Sequence, residues 1–411
     1  MFPNLVILYP DIAKSLLDYR YVRIEAAKER ARLRGYNGAM WPWESALVGF
    51  GVASWHKGDE HEIHIGGDIV HASRLYYYAS GDSKWLQTIG WEIVSETANF
   101  YASRIVQDNV TKKYTFKQVI CPDEKAGIQD DNPFTNAIAS ETMKFAIFIA
   151  NKFKLNANPK WKLYSENILI LNPIELPDSD GKLIHPEYTG YQGEATNQAD
   201  VALLQYPLRL KDDVIDHEQA VNDLLYYQSR SSGPTTSGFF TGDSSYSIAW
   251  LRLGNRTAAD EQFGLAFLHM DVNNGFNVWI EKSKGSKGYP GNLNFITGAG
   301  GYLQNYLYGY MGIILSESTF NLNPLLPPHG ITKVGVRHIT FHGKIFSVYY
   351  DVNTNVSVKY EGFSSSKNEN GDKNNNEDDL IVIDGDGLVH NVAVGVEIIL
   401  KDNVGKSITI H

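Results

Sequence analysis

The chain has 411 residues, of which 43% are hydrophobic and 20% charged, a composition typical of a globular protein with roughly two or three domains. Its formal net charge of −10 argues against nucleic acid or an anionic membrane as a partner, and no apolar run reaches the ~18 residues that span a bilayer. The single cysteine, Cys121, excludes an intrachain disulfide and a cysteine-based zinc site, and together with the absence of a convincing leader it predicts a cytoplasmic protein.

Residues 1–320 are predicted to be mainly helical, beginning with the first turn of a helix at the N-terminus. Many successive helices with long polar loops suggest helical hairpins in an array or ring, and no fixed-period repeat is present. Apolar residues recur at helical spacing in segments 11–35, 60–81, 84–103, 134–153, 195–208, 217–227, 244–253 and 258–270.

The period changes near Asn321. A proline-rich connector is followed by segments that alternate every second residue, which predicts a small C-terminal β domain over residues 321–411. Residues 384–387, Asp-Gly-Asp-Gly, are predicted to form a turn. The polar, low-complexity stretch at 364–379 is predicted to be a disordered loop within that domain.

The acid-rich stretch of residues 119–136, VICPDEKAGIQDDNPFTN, raises three alternatives. A calcium loop needs regularly spaced oxygen ligands and a central glycine, and the pattern fails at Phe134. A solvated turn and a catalytic carboxylate remain. In the second case Pro122 and Pro133 would fix Glu124 in a partly apolar loop, where desolvation raises a carboxyl pKa as a general acid requires.

Three further motifs each allow a functional and a structural interpretation. Trp43 could stack on a sugar ring and Glu44 could accept hydroxyl hydrogen bonds, or the pair could begin a helix with an aromatic core anchor. His64 belongs to a His-Glu-Ile-His sequence whose spacing does not fit a zincin, so it lines a sugar pocket or lies in the core. Glu281 is a catalytic carboxylate or a surface charge before a lysine-rich loop.

The same motifs together resemble glycoside hydrolase family 65. The resemblance spans roughly residues 3–310, and within the family it is strongest to hydrolases of glucosylgalactosyl-hydroxylysine, with acid trehalases next. Five blocks in the family's order carry it: GYNGAMWPWESA (35–46), HEIHIGGDI (61–69), CPDEKAGIQDDNPFTN (121–136), HPEYTGYQGEATNQADVALLQYPL (185–208) and FNVWIEKSKG with NFITGAGGYLQ (276–304).

The resemblance implies an (α/α)6 toroid, incomplete at its N-terminal side, followed by a β-sandwich. It implies hydrolysis of an α-glucosidic bond with inversion, in a substrate such as glucosylgalactosyl-hydroxylysine or trehalose, without metal or organic cofactor. Glu124 aligns with the general acid, and Glu281, in a Val-Trp-x-Glu motif with Trp279, aligns with the general base. For inversion their carboxyl groups should lie ~6.5–9.5 Å apart. Gln198 aligns with a glucose-binding residue.

Departures from the family pattern keep two alternatives open. Asn197 replaces a sugar-binding lysine, Lys125 replaces a tyrosine and could lower the pKa of Glu124, and residues 1–10 resemble a segment that follows a Trp-Asp-x-Glu motif in the family. The first alternative is therefore a truncated, inactive remnant that at most binds sugar. The second is a disaccharide phosphorylase, which Glu281 disfavours. The sequence does not indicate an oligomeric state.

Overall fold

The computed structural model describes residues 1–230, 240–271, 278–281, 292–364 and 379–411. Its elements group into two units. The helical unit comprises Leu16–Ser73 and Lys84–Gly298, and the sheet unit comprises Met1–Ser15, Arg74–Ser83 and Ala299–His411. Among the described residues, no helix has both the length and the apolar character needed to cross a membrane.

Helices dominate the described part of the chain before residue 311. Two π-helical turns, Leu86–Gly90 and Asn305–Tyr310, extend the helical segments. The α-helices are α1 (Phe2–Leu8), α2 (Pro10–Tyr21), α3 (Ile24–Leu33), α4 (His56–His61), α5 (His64–Ser80), α6 (Ser83–Trp85), α7 (Trp91–Arg104), α8 (Pro133–Phe153), α9 (Lys160–Glu166), α10 (His217–Arg230), α11 (Phe240–Arg252), α12 (Arg256–Leu265) and α13 (Ile296–Gln304).

The prediction of a helix over 195–208 is wrong. Only Val201–Leu204 forms a short 3-10 turn there, and the preceding residues are irregular. The backbone N–H of Asn197 donates to the side chain of Asp123. Helical periodicity in the sequence therefore does not decide the local structure of this segment, which is held by a hydrogen bond to a residue distant in the sequence.

A buried cluster in the helical unit supports the acid-rich stretch. It brings together side chains from α3, α7 and α8 and from the segments before α5 and α8: Ala31, Met40, Ile63, Phe100, Tyr101, Phe116, Val119 and Ala139. Helix α5 approaches α8 closely at Gly67, where a Cβ would lie 2.7 Å from the Ile138 side chain. The start of α5 and the acid-rich stretch therefore rest on one core.

Strands predominate after residue 311, as the two-residue period predicts. Short two-residue strands also occur in the helical unit. The strands are β1 (Val106–Gln107), β2 (Tyr114–Thr115), β3 (Val119–Ile120), β4 (Ile128–Gln129), β5 (Ile174–Glu175), β6 (Leu183–Ile184), β7 (Met270–Asp271), β8 (Val278–Trp279), β9 (Ile314–Leu315), β10 (Phe320–Leu322), β11 (Lys333–Phe341), β12 (Lys344–Asp351), β13 (Val356–Phe363), β14 (Leu380–Ile383), β15 (Val389–Val392), β16 (Glu397–Leu400) and β17 (Ile408–Ile410).

The sheet unit contains a five-stranded sheet in the order β15-β14-β17-β10-β9 and a four-stranded sheet in the order β11-β12-β13-β16. Phe320 of the first sheet packs its ring 5.8 Å from Phe341 and 5.3 Å from Phe346 of the second. The two sheets thus bury their apolar faces against each other, as in a sandwich. The predicted turn forms after β14, where Asp384 Oδ1 accepts hydrogen bonds from the N–H groups of Asp386 and Leu388.

The helical first part and the sheet-forming last part agree with the predicted fold class. The domain boundary at residue 321 stays a prediction; the sheet unit also includes α1 and parts of α2, α5, α6 and α13. Of the predicted disordered loop at 364–379, residues 365–378 lie outside the described residues.

Candidate active site

Glu124 lies in a loop that a short β hairpin holds at both ends. Strand β3 pairs with β4 in antiparallel register, Val119 opposite Gln129 and Ile120 opposite Ile128. Both residues of β3 are fully buried, which anchors the hairpin in the core. Residues 121–127 between the strands, here called the acid loop, include a 3-10 turn that begins at Glu124.

The side chain of Glu124 has the electrostatic character of a general acid. It is half-buried, and burial raises its pKa above the ordinary value for glutamate, with further increases from the negative charges of Asp123 and Glu281. Lys125 is exposed, and its charge acts on Asp123, where it opposes only in part the rise in pKa that burial causes; it is not among the causes of the shift at Glu124. The expectation that Lys125 could make Glu124 a stronger acid therefore does not describe this arrangement.

Asp123 joins the acid loop to residues 197–198. Its carboxylate is buried and accepts a hydrogen bond from the backbone N–H of Asn197 at 3.0 Å. The Gln198 side chain donates to the backbone oxygen of Pro122. Burial raises the pKa of Asp123 even though hydrogen bonds from backbone N–H groups oppose the shift. The structure thus brings Asn197 and Gln198 against the acid loop, at the two residues that precede Glu124.

Glu281 follows strand β8 and is held by Asn292. One carboxylate oxygen, Oε2, accepts hydrogen bonds from the backbone N–H of Asn292 at 2.8 Å and from its side-chain amide at 3.0 Å. None of the described residues donates a hydrogen bond to the other oxygen, Oε1. Since its charge raises the pKa of Glu124, Glu281 lies within electrostatic range of the acid loop. Trp279, in β8, is half-buried and packs its ring 6.3 Å from that of Phe267.

His64 lies beneath the acid loop as a neutral, buried residue. Its ring packs edge-on against Phe134 at 5.9 Å. Burial lowers its pKa to about 4, and a hydrogen bond with the backbone of Ile120 only partly opposes this shift. Its Nδ1 has no hydrogen-bond partner among the described residues. His64 can therefore accept a hydrogen bond there without adding a charge near Glu124.

Glu62 is a buried acid that the sequence motifs did not single out. Burial, together with the negative charges of Glu124, Asp68 and Asp59, raises its pKa to about 8, so the charge of Glu124 acts on Glu62. Its Oε1 accepts no hydrogen bond from the described residues. Glu62 lies within the His-Glu-Ile-His motif, so the sequence did contain a signal for it. The motif was interpreted only through its histidines, as possible metal ligands.

Trp43 and Glu44 are less closely connected with the acid loop. Trp43 is half-buried, and its ring lies edge-on to Trp55 at 6.1 Å. Trp55 in turn lies beside Gly58, where a Cβ would meet both the Trp55 ring and the Glu62 carboxylate. Glu44 is exposed and lies in an irregular segment, so the alternative of a helix start is wrong.

A second group of acids lies behind the loop. Cys121 Sγ and one oxygen each of Glu187 and Asp200 lie within 4.8 Å of one another, and all three side chains are buried. Burial raises the pKa of each, so protonation can neutralise the cluster. The Cys121 thiol is within donor distance of two oxygens. Its Sγ lies 3.6 Å from Glu187 Oε1 and 3.2 Å from the backbone oxygen of Asp123. Because metals bind the thiolate, this arrangement indicates a buried hydrogen-bond network.

The remaining acids of the stretch have structural roles. Asp130 Oδ1 accepts from the Gln118 N–H at 2.8 Å. Asp131 is buried and accepts from Thr115 and from Lys117, each at 2.7 Å. Since these carboxylates are already used by the protein, the arrangement agrees with the rejection of a calcium loop. The remaining acid of the loop is Glu124, which is half-buried and has a raised pKa to which the charge of Glu281 contributes.

Comparison with known proteins finds one matching family and several similar relatives. A family model described as the glycosyl hydrolase family 65 central catalytic domain matches residues 1–200. The chain is 33% identical over 347 residues to the protein-glucosylgalactosylhydroxylysine glucosidase of Gallus gallus, covering 84% of this chain and 46% of the relative. It is 37% identical over 337 residues to a kojibiose hydrolase of Mucilaginibacter mallensis, covering 81% of this chain and 45% of the relative.

A solved structure of a putative kojibiose phosphorylase from human microbiome has the same fold. It superposes with a TM-score of 0.72 at 19% sequence identity, over 97% of this chain and 58% of that chain. At this identity the likeness concerns the fold alone. The chain spans about half the length of the curated relatives it matches.

Proposed function

The chain belongs to glycoside hydrolase family 65, and we propose that it hydrolyses an α-glucosidic bond with inversion, using Glu124 as general acid and Glu281 as general base. The observation that carries the proposal is a half-buried carboxyl in the acid loop that favours its protonated form, with a second carboxylate close enough for its charge to act on it. Glu124 is half-buried with a raised pKa, and the charge of Glu281 contributes to that rise.

Each carboxyl has the properties that its step requires. A general acid must hold its proton near working pH, and burial favours the protonated form of Glu124. It would transfer that proton to the glycosidic oxygen as the bond to the anomeric carbon breaks. Glu281, oriented by Asn292, would accept a proton from a water molecule that attacks the opposite face of that carbon. The products are a free β-glucose unit and the released aglycone.

The residues around the acid loop supply the sugar contacts in this proposal. Gln198 is held against the acid loop through Pro122, and Asn197 is held there through Asp123. Either amide can exchange hydrogen bonds with sugar hydroxyls. Trp279, Trp43, Glu44 and His64 stay proposed sugar contacts. The proposed substrate is an α-linked glucosyl disaccharide unit, as in glucosylgalactosyl-hydroxylysine, kojibiose or trehalose, after which relatives of the chain are named.

The fold proposal is that the helical unit forms part of an (α/α)6 toroid. The likeness to the phosphorylase structure and the family match over residues 1–200 support it.

A non-catalytic sugar-binding protein is the second candidate. Two observations favour it: the Gln198 side chain hydrogen-bonds to the acid loop, and Asn197 replaces the lysine expected for sugar binding. Phosphorolysis is the third, since some relatives are named phosphorylases.

Glucose release separates these candidates. The chain is incubated with glucosylgalactosyl-hydroxylysine, kojibiose and trehalose, with and without inorganic phosphate, and the first product is followed by proton NMR. Inverting hydrolysis yields β-glucose without phosphate. Formation of glucose 1-phosphate only when phosphate is present overturns the hydrolase proposal in favour of phosphorolysis. Binding of these sugars without turnover, measured by calorimetry, overturns it in favour of the sugar-binding protein.

A further inference from the structure

The outer face of the four-stranded sheet carries a groove that the proposed catalysis does not use. Strand β12 alternates between faces: Val348 and Tyr350 are buried in the sandwich, while Tyr349 between them is half-exposed. The groove has a volume of about 420 Å³, within the ~300–1,000 Å³ typical of small-molecule sites. Its lining includes Lys333, Tyr349, Asp351, Ser357, Lys359 and Glu397.

The ring of Tyr349 lies across the neighbouring strand at a distance that only glycine permits. Gly335 of β11 stands directly opposite Tyr349 in the register. A Cβ at Gly335 would lie 2.3 Å from Tyr349 Cδ1, which no other residue could tolerate without moving the ring. On one side the ammonium of Lys333 lies 5.7 Å from the ring centroid. The ring is therefore held in place by its own sheet while it stays half-exposed.

Polar groups of both signs surround this ring. Ser357 stands opposite Tyr349 on β13, and its hydroxyl donates to the Glu397 carboxylate. Lys359 stands opposite Glu397 in the register and is exposed, and it forms no ion pair with any of the described residues. Asp351 Oδ1 accepts from the Asn353 N–H at 2.8 Å. The groove thus offers carboxylate acceptors and an ammonium donor around an aromatic surface.

We propose that this face is a second, non-catalytic carbohydrate-binding site that holds a hexopyranose unit. A sugar ring presents C–H groups on its face, which pack on an aromatic ring, and hydroxyls at its edge, which both donate and accept. The flanking carboxylates disfavour an anionic ligand, and the charged rim disfavours an apolar peptide. The site lies wholly in the sheet unit, so it is independent of the roles of Glu124 and Glu281.

Saturation-transfer NMR with methyl α-glucopyranoside and kojibiose tests the site. The experiment uses the full chain carrying Glu124→Gln, so that turnover does not remove the ligand. A further change, Tyr349→Ala, is expected to weaken binding at this face about five- to tenfold, and Tyr349→Phe is expected to restore it because the ring remains. Gly335→Ala is expected to weaken binding as Tyr349→Ala does, since it displaces the ring.

The control is Leu388→Ala, which truncates an exposed apolar residue outside the groove. Hydrogen exchange with and without sugar localises the effect, and protection of β12, β13 and β16 supports the site. Equal saturation transfer in the parent and in Tyr349→Ala overturns the proposal, as does equal loss in Leu388→Ala. Should Tyr349→Ala not fold, Lys359→Met takes its place, and unchanged binding in that variant together with Gly335→Ala overturns the proposal.

Discussion

The carboxylate of Asp123 accepts a hydrogen bond from the backbone N–H of Asn197 at 3.0 Å, across 74 residues of sequence. The bond joins the acid loop to the segment proposed to contact the sugar. Glu124 follows Asp123 and Gln198 follows Asn197 in the sequence, so the bond links the proposed proton donor to a proposed sugar contact.

Replacement of Asp123 by alanine is expected to lower the free energy of unfolding by about 1–3 kcal/mol, because the Asn197 N–H loses its acceptor. Asp123→Asn keeps one acceptor oxygen and should lose less. Urea unfolding followed by tryptophan fluorescence measures both. Equal stability of Asp123→Ala and the parent would contradict a stabilising role of this hydrogen bond.

Replacement of Glu124 by glutamine is expected to reduce glucose release from a disaccharide roughly 100- to 10,000-fold, because the leaving oxygen is no longer protonated. α-Glucosyl fluoride, whose leaving group needs little protonation, should lose much less. Lys125→Gln, which changes the exposed neighbouring residue, is the matched control and should retain the parent rate. A parallel loss on both substrates would count against the acid role and point to a defect in binding.

The pKa of Glu124 is expected to fall in Glu281→Gln. A neighbouring negative charge disfavours ionisation of Glu124, so its removal makes the carboxyl a stronger acid. NMR titration of carboxyl-labelled glutamate would follow the shift. Lys125→Gln is again the control, and should change the pKa less than Glu281→Gln does. An unchanged value in Glu281→Gln would show that the two carboxyls are not coupled.

The stability of the protein should depend on pH through Glu62. Its folded pKa of about 8 exceeds the ordinary value of 4.5, so the folded state favours the protonated form. This contribution is fully present below about pH 4.5 and is lost as the pH rises through about 8. Glu62→Gln stays neutral, so it should gain roughly 2–4 kcal/mol relative to the parent between about pH 5 and pH 9. Parallel stability curves of the two proteins, from urea unfolding across this range, would refute the assignment.

The sequence predicted those features that depend on local pattern. Helix α8 occupies the predicted 134–153 almost to the residue, because its apolar positions and the Asn132 N-cap with Pro133 all favour the same helix. Strands β11 to β13 form where apolar and polar residues alternate, because successive side chains of a strand point to opposite faces. The Pro-Asp-Glu motif likewise identified Glu124 as the candidate general acid.

Only the tertiary structure decided what surrounds that motif. Most of the segment 195–208 is not helical, and its Asn197 N–H donates to the distant Asp123. Glu62 and Glu187 favour their protonated forms only because distant segments bury them. Tyr349 is held over Gly335 by strand register, which no single strand encodes. Periodicity in a sequence reports which face of an element is buried. The pKa of a carboxyl and the partner of a hydrogen bond depend on neighbours that folding brings from far along the chain.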